Sequence, residues 1–229
     1  MQDLPTLPLF CFDCEQRLSR DEKSFKEKLF APILEEFRKE FEYEEWLLRF
    51  AVSLAFRTIC YYEAINPERD PVRSAQLLGA SYRWQKYLLG KEIDPGPGEH
   101  HMFVADPVTQ NFDGARRAMN TYLLRSVSVD IIWAHDRAVV VSKLPWFLFA
   151  SEVTERSLVG WNDTKIATSG KVPVTQSIND EPFIEYMLDR ATEGVRGIKS
   201  MSAKQQEVVS RQTLGSPERV LNSQTFDLY

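Results

Sequence analysis

The sequence predicts an α+β fold. An N-terminal helical layer with a buried central helix packs on an antiparallel β-meander, and a C-terminal helix follows. Three observations carry this reading. Residues 44–64 hold neither Pro nor Gly and are apolar almost all round a helix, the mark of a helix enclosed by protein. After the Asp94-Pro-Gly-Pro-Gly98 loop the apolar spacing changes from three or four to two. Near residue 181 helical spacing returns, with Phe183, Ile184, Met187, Leu188 and Ala191 on one face. A helical half (19–90), a sheet half (100–175) and a helix (181–192) read as one domain over 19–192. The apolar face of the sheet needs a cover, and the central helix supplies it.

Taken in order, residues 1–18 form an extended segment that carries a Cys11-Phe-Asp-Cys14 remnant. Ser19 and Glu22 make a capping box that starts the first helix. Phe25, Leu29, Ile33, Phe37 and Phe41 continue it at i, i+4 steps, with a kink near Ala31 because Pro32 lacks a backbone donor. The central helix bears Trp46, Leu47, Phe50, Val52, Leu54, Phe56, Ile59 and Tyr62 and ends near Asn66-Pro67. Glu45, Arg49 and Arg57 interrupt it too often for a membrane span. A third helix is capped by Asp70, has Pro71 in its first turn and stops at Gly90. Leu78, Tyr82, Trp84, Leu88 and Leu89 give its apolar contacts.

Past the Pro-Gly loop, 101–105 reads as a strand and 113–120 as a short helix. Residues 122–133 read as a strand with Leu123, Val127, Val129, Ile131 and Trp133 on one face and Arg125 as the exception. His135 and Asp136 form a turn. Strands follow over 138–144 and 146–151, separated by Pro145, then irregular strands over 160–174. Gly194 and Gly197 stop the last helix, which leaves 193–229 as a polar extension and flexible tail.

The bulk chemistry is that of an ordinary globular chain: 229 residues, 43% hydrophobic and 27% charged. A formal charge of −5 argues against gripping nucleic acid with the whole surface, although a local basic patch at Arg116-Arg117 or along 190–219 is compatible with it. Residues 2–10 have neither the basic start nor the apolar run of a signal peptide. With Cys11, Cys14 and Cys60 an odd set, the expected setting is the cytoplasm with reduced thiols and no disulfide framework.

Three groups of residues offer chemistry. Cys11 and Cys14 supply half of a tetrahedral zinc site. Cys60 lies within the buried helix and reads as inert, so His100 with His101, His135 or a partner chain would have to complete it; a redox pair lacks the strand–Cys-x-x-Cys–helix setting, free thiols are the simpler reading, and no cofactor is required, zinc being the one that fits. His100 and His101 are neighbours in a strand and point to opposite faces, one to the core and one to solvent, so they do not share one metal. Glu45, Arg49, Ser53 and Arg57 make the one polar stripe on the central helix. Its plain reading is an exposed rim; its functional reading is two guanidinium groups, Arg49 and Arg57, lining a cleft for an anion or a protein carboxylate. No nucleotide-binding glycine pattern, HExxH or Gly-x-Ser-x-Gly occurs.

Cys11-Phe-Asp-Cys14-Glu-Gln-Arg-Leu-Ser-Arg, with Trp46-Leu-Leu-Arg49, Glu99-His-His101 and Asn120-Thr-Tyr-Leu-Leu-Arg125, resembles a bacterial family that carries an HNH-like, treble-clef zinc module. The resemblance spans most of residues 9–170. In that family the Cys-x-x-Cys-Glu turn is the second half of the module; an upstream Cys pair and a Ser-His segment form the first. This chain lacks that half, and with it the histidine that would activate water. The resemblance therefore implies a degenerate module, as in an accessory paralogue or a shortened gene start. It also implies a link to bacterial defence loci, CRISPR systems among them. The expected function is a non-catalytic protein-interaction or regulatory accessory protein, with Trp146 and Trp161 as exposed anchors. The alternative is a zinc-binding, HNH-like nucleic-acid-binding protein or degenerate nuclease; a weaker third is an enzyme using His100 or His101.

Overall fold

A computed structural model of the chain describes residues 9–36, 41–105, 115–134, 137–154, 156–173 and 175–199, together with Ser202, Lys204 and Glu207. The expected tail beyond these, and the His135-Asp136 turn, lie outside the described residues. The fold is α+β with antiparallel sheets and a C-terminal helix.

Helix α1 (Phe12–Phe25) passes through a π-helical turn (Lys26–Phe30) into α2 (Ala31–Glu36). Helix formation thus begins at Cys11, not at Ser19, and no extended segment runs to residue 18. Ser19 sits within α1 and its hydroxyl donates back to the Gln16 carbonyl at 2.9 Å, so the capping box does not form. The kink predicted at Pro32 takes the form of the π turn. Proline has no N–H and crowds the carbonyl four residues back, and widening the preceding turn relieves both. The Ala31 N–H accordingly donates to Lys26.

Strand β1 (Phe41–Tyr43) follows where the i, i+4 series had suggested more helix. Central helix α3 (Glu45–Ile65) ends at Asn66, as expected. Helix α4 (Pro71–Leu88) is capped by Asp70, whose Oδ1 accepts from the Val72 and Arg73 N–H groups at 3.0 and 2.9 Å. Its buried face is Leu77, Ala80, Trp84, Tyr87 and Leu88; Leu78 and Tyr82 face outward.

Strand β2 (His100–Val104) precedes α5 (Arg116–Arg125), and then come β3 (Ser128–Ala134), β4 (Arg137–Leu144) and β5 (Phe147–Glu152). The strand predicted from 122 begins only at Ser128. Met119, Tyr122 and Leu123 are buried at helical spacing, and Arg125, the misfit of the alternating pattern, ends the helix exposed. The four strands order β2-β5-β4-β3. Strands β3 and β4 pair antiparallel from Ser128↔Lys143 to Ala134↔Arg137, and Pro145-Trp146 turns the chain into β5. Short strands β6 (Trp161–Asn162), β7 (Gly170–Val172) and β8 (Ser177–Ile178) form two ribbons, β1-β7 and β6-β8.

Helix α3 covers the four-stranded sheet. Phe50 stacks on Phe25 at 4.3 Å and meets Phe149 of β5 edge-on at 5.4 Å. Thr58 bonds Ser142 of β4 at 3.3 Å, and the Tyr62 hydroxyl donates to the Val129 carbonyl. Glycine is required at Gly98, where a Cβ would lie 2.3 Å from the Glu152 carbonyl oxygen.

The chain divides into two compact units, Met1–Val104 with Val127–Lys143 and Leu148–Asp180, and Ala105–Ser126 with Leu144–Phe147 and Glu181–Tyr229. In the second unit α5 packs on α6 (Glu181–Lys199), which buries Phe183, Met187 and Ala191. Helix α6 runs through Gly194 and Gly197. Each costs only about 1 kcal/mol in a helix, and the packed face outweighs that.

Candidate functional site

The polar stripe of α3 is largely covered: Ser53 is buried, Arg49 and Arg57 are half-buried, and Glu45 is exposed. Helix α1 lies along it with the carboxylates Glu15, Asp21 and Glu22 turned inward. Arg49 Nε donates to Asp21 Oδ2 at 3.1 Å. Its two terminal nitrogens donate to the Tyr87 and Leu88 carbonyls at 3.4 and 3.1 Å. Those carbonyls end α4; the Tyr87 carbonyl also accepts from the Gly90 N–H at 2.9 Å, and the guanidinium adds a donor at the negative end of the helix dipole. Arg57 bonds Glu15 Oε2 at 3.1 Å and also Glu22 Oε1. Ser53 is fully buried and bonds the Phe50 carbonyl. The Tyr87 hydroxyl donates to Glu45. Burial raises the Asp21 pKa above its ordinary value, and Arg49 opposes that rise without cancelling it.

Arg49 nevertheless borders an open cleft of about 470 Å³, lined by Arg17, Arg20, Asp21, Arg49, Leu88, Leu89 and Gly90. Arg17 and Arg20 stand one turn apart on α1, both exposed. Among the described residues neither makes an ion pair. The one carboxylate of the cleft already holds Arg49. Two unpaired guanidinium groups therefore face an aliphatic floor, a setting that suits a carboxylate on a short apolar stem. Arg57, by contrast, works as a strut between α3 and α1 and does not line this cleft. A second cleft of about 460 Å³ carries Glu42, Glu44, Lys28 and Lys171 and has no such charge bias.

The two histidines do point to opposite faces of β2, but both are buried, with 3% and 2% of their surface exposed. Neither reaches solvent, contrary to the expectation for one of them. The reason is that β2 is not a free edge: the Met102 N–H donates to the Thr164 carbonyl, and the Ile166 N–H donates to the His100 carbonyl. The His100 ring bonds Ser151 of β5 through Nδ1 at 2.8 Å and lies against Trp84. Its Nε2 has no partner among the described residues. An Nδ1–H donated to Ser151 leaves Nε2 an unprotonated lone pair, which is cheaper to bury than an orphan N–H. Burial, followed by the nearby His101, depresses the His100 pKa to about 3, so the ring is neutral.

His101 bonds Thr164 Oγ1 through Nδ1 at 2.8 Å and Glu99 Oε2 through Nε2 at 3.4 Å. Lys165 pairs with the other Glu99 oxygen at 2.6 Å, and the Leu158 N–H donates to Oε2. Burial alone would raise the Glu99 pKa, but these bonds hold it below the usual range. Thr, His and Glu here form a hydroxyl–imidazole–carboxylate chain. Thr164 is buried and its hydroxyl donates to the Trp161 carbonyl at 3.2 Å, so it offers no nucleophile to a solvent-borne substrate and instead locks β2 to the 164–166 segment.

Cys11 occupies the N-cap of α1 and is exposed; Cys14 is one turn on and half-buried. Among the described residues no three His, Cys, Asp or Glu side chains converge as a metal site. A tetrahedral zinc on Cys11 and Cys14 would need two further ligands; of the residues expected to give them, His100 and His101 are buried within β2, and His135 lies outside the described residues. Trp161 is also buried, with its Nε1–H donated to Asp180 at 3.0 Å, so it is no exposed anchor. Among the described residues no helix is long and apolar enough to cross a membrane.

Comparison of the chain with protein-family models, with curated proteins and with solved structures finds no significant match. The site is therefore read from its own residues. Sequence reasoning picked out Arg49 but missed Arg17 and Arg20. The signal was present, since they flank Leu18 and Asp21 on α1, but it needed α1 to begin at residue 12.

Proposed function

We propose that this protein is a non-catalytic interaction module that takes an acidic segment of a partner protein into the Arg17–Arg20–Arg49 cleft. The observation that carries the reading is the pair of exposed arginines, without an ion pair among the described residues, beside a cleft whose lining carboxylate, Asp21, is already engaged. Arg49 supplies a fixed wall, held by three acceptors, and Arg17 and Arg20 supply adaptable donors. Leu88 and Leu89 give a carboxylate side chain an aliphatic seat. A nucleic-acid backbone is the poorer occupant, because it asks for a continuous basic track and here Asp13 and Glu15 share the helix with the arginines.

The test uses a fluorescein-labelled hexaglutamate peptide and the full chain, followed by anisotropy. Binding is expected to saturate, to weaken with added salt, and to fall at least tenfold in Arg17→Glu with Arg20→Glu, the fold being checked by circular dichroism. An oligothymidylate of equal charge should bind more weakly. Equal binding by wild type and double variant, or preference for the oligonucleotide, contradicts the proposal.

A further inference from the structure

We propose that Cys11 and Cys14 form a redox-active dithiol that reacts with low-molecular-weight disulfides and closes to an intrachain disulfide. This goes beyond the cleft and does not depend on it.

The argument begins with position. Cys11 is the N-cap of α1, with extended dihedrals (φ −73°, ψ 161°), while its carbonyl already accepts the first helical bond from Glu15 at 3.1 Å. Cys14 follows at the third helical position. Residues three apart on a helix have Cβ atoms roughly 5–6 Å apart, whereas a disulfide needs about 3.5–4.5 Å. Cys11 lies outside the helical dihedrals, so its backbone can rotate toward Cys14 without unwinding α1.

The electrostatics divide the labour. The first-turn N–H groups of α1 have no side-chain cap and carry the positive end of the helix dipole. Interaction with the Cys14 backbone N–H, then with the Cys14 thiol, holds the Cys11 pKa below its ordinary value, and desolvation opposes this without cancelling it. The Cys14 pKa is raised, first by the Cys11 thiol and then by burial, with Arg17 acting the other way. Glu15, the remaining charge of the first turn, is bound to Arg57. An exposed thiol at the uncapped N-terminus of a helix, with a second, half-buried thiol one turn on, is the arrangement of an attacking and a resolving cysteine. The third thiol, Cys60, sits on α3 with its pKa raised by burial, and serves as an internal control.

The chemistry balances without a further reagent. The Cys11 thiolate attacks one sulfur of a disulfide RSSR, forms a Cys11–S–S–R bond and expels RS⁻. Cys14 then loses its proton to water and attacks the Cys11 sulfur. The Cys11–Cys14 bond forms and the second RS⁻ leaves. Two electrons pass from the dithiol to the disulfide, and the two thiol protons end on two RSH.

The test equilibrates the full chain in buffers of reduced and oxidised glutathione, quenches with iodoacetamide and reads intact and peptide masses. The wild type is expected to lose two hydrogens between Cys11 and Cys14. Cys14→Ser should trap one glutathione on Cys11, Cys11→Ser should form neither product, and Cys60→Ser should behave as wild type. At neutral pH, iodoacetamide should label Cys11 at least tenfold faster than Cys60. The proposal is overturned if no intrachain disulfide forms at any glutathione ratio, or if Cys60 is labelled as fast as Cys11. It is overturned equally if the purified pair holds one equivalent of zinc and becomes oxidisable only after chelation.

Discussion

Arg49 of α3 grips Asp21 of α1 at 3.1 Å while its other nitrogens close the C-terminal end of α4. One side chain thus joins three helices and forms the fixed wall of the cleft. Removing it leaves the buried Asp21 carboxylate without its cation and the Leu88 carbonyl without its guanidinium donor, while the Tyr87 carbonyl keeps the Gly90 N–H. Hydrogen bonds of charged groups contribute roughly 1.5–3 kcal/mol each. Arg49→Leu should therefore destabilise the fold by about 2–3 kcal/mol, measured by urea unfolding, and a double-mutant cycle with Asp21→Asn should show coupling near 1 kcal/mol. Arg57→Ala, whose partners Glu15 and Glu22 are more exposed, should cost only about 0.5–1 kcal/mol. Equal costs at the two positions would mean that the helix-end carbonyls contribute nothing.

Lys143 of β4 sets a pH dependence on the alkaline side. Its side chain is buried, and desolvation lowers its pKa to about 7. The unfolded chain, with an ordinary lysine pKa near 10.4, binds the proton that the folded chain has given up between these values. Stability should therefore rise from about pH 7 towards pH 10 through this group, and gain nothing from it below pH 7. Lys143→Met should flatten that slope in unfolding curves taken at pH 7 and 9. An unchanged slope would show that the ammonium is stabilised in place.

His100 acts on the acid side. Its folded pKa lies near 3, against about 6.5 in an unfolded chain. Between these values the unfolded chain binds the proton, so stability should fall as the pH drops from about 6.5 towards 3. His100→Gln should reduce that acid sensitivity, and imidazole ¹⁵N shifts of the wild type should report a neutral ring at pH 5. A charged ring at pH 5 would contradict the buried environment.

Gly98 meets the Glu152 carbonyl where any Cβ would sit. Gly98→Ala should destabilise the protein by at least about 2 kcal/mol, as overpacking against rigid backbone does. A neutral substitution would mean that the loop shifts freely from β5.

Much of this fold was legible in the sequence. Helix α3 shows in its length and all-round apolarity, α4 in Asp70, Pro71 and Gly90, and the meander in its period of two. These are local signals, and local physics decides them. The start of α1 was hidden because cysteine is no customary cap and Ser19 with Glu22 imitates one. Strand β1 was hidden because Phe41 extends a helical series by chance. Tyr122 and Leu123 fit either period, and the packing of α5 on α6 decided between them. The α3 stripe was misread for a different reason. Its partners Asp21, Glu22 and Glu15 lie 28, 35 and 42 residues upstream, and no periodicity within α3 says what faces it.

The most direct measurement is an NMR titration of the full chain with hexaglutamate, observing the arginine Nε–H signals. The account predicts saturable shifts at Arg17 and Arg20, a smaller shift at Arg49 as its bond to Asp21 is kept, and still signals for Arg57, Arg116 and Arg117. Shifts centred on Arg116 and Arg117, or spread evenly over all the arginines, would contradict it.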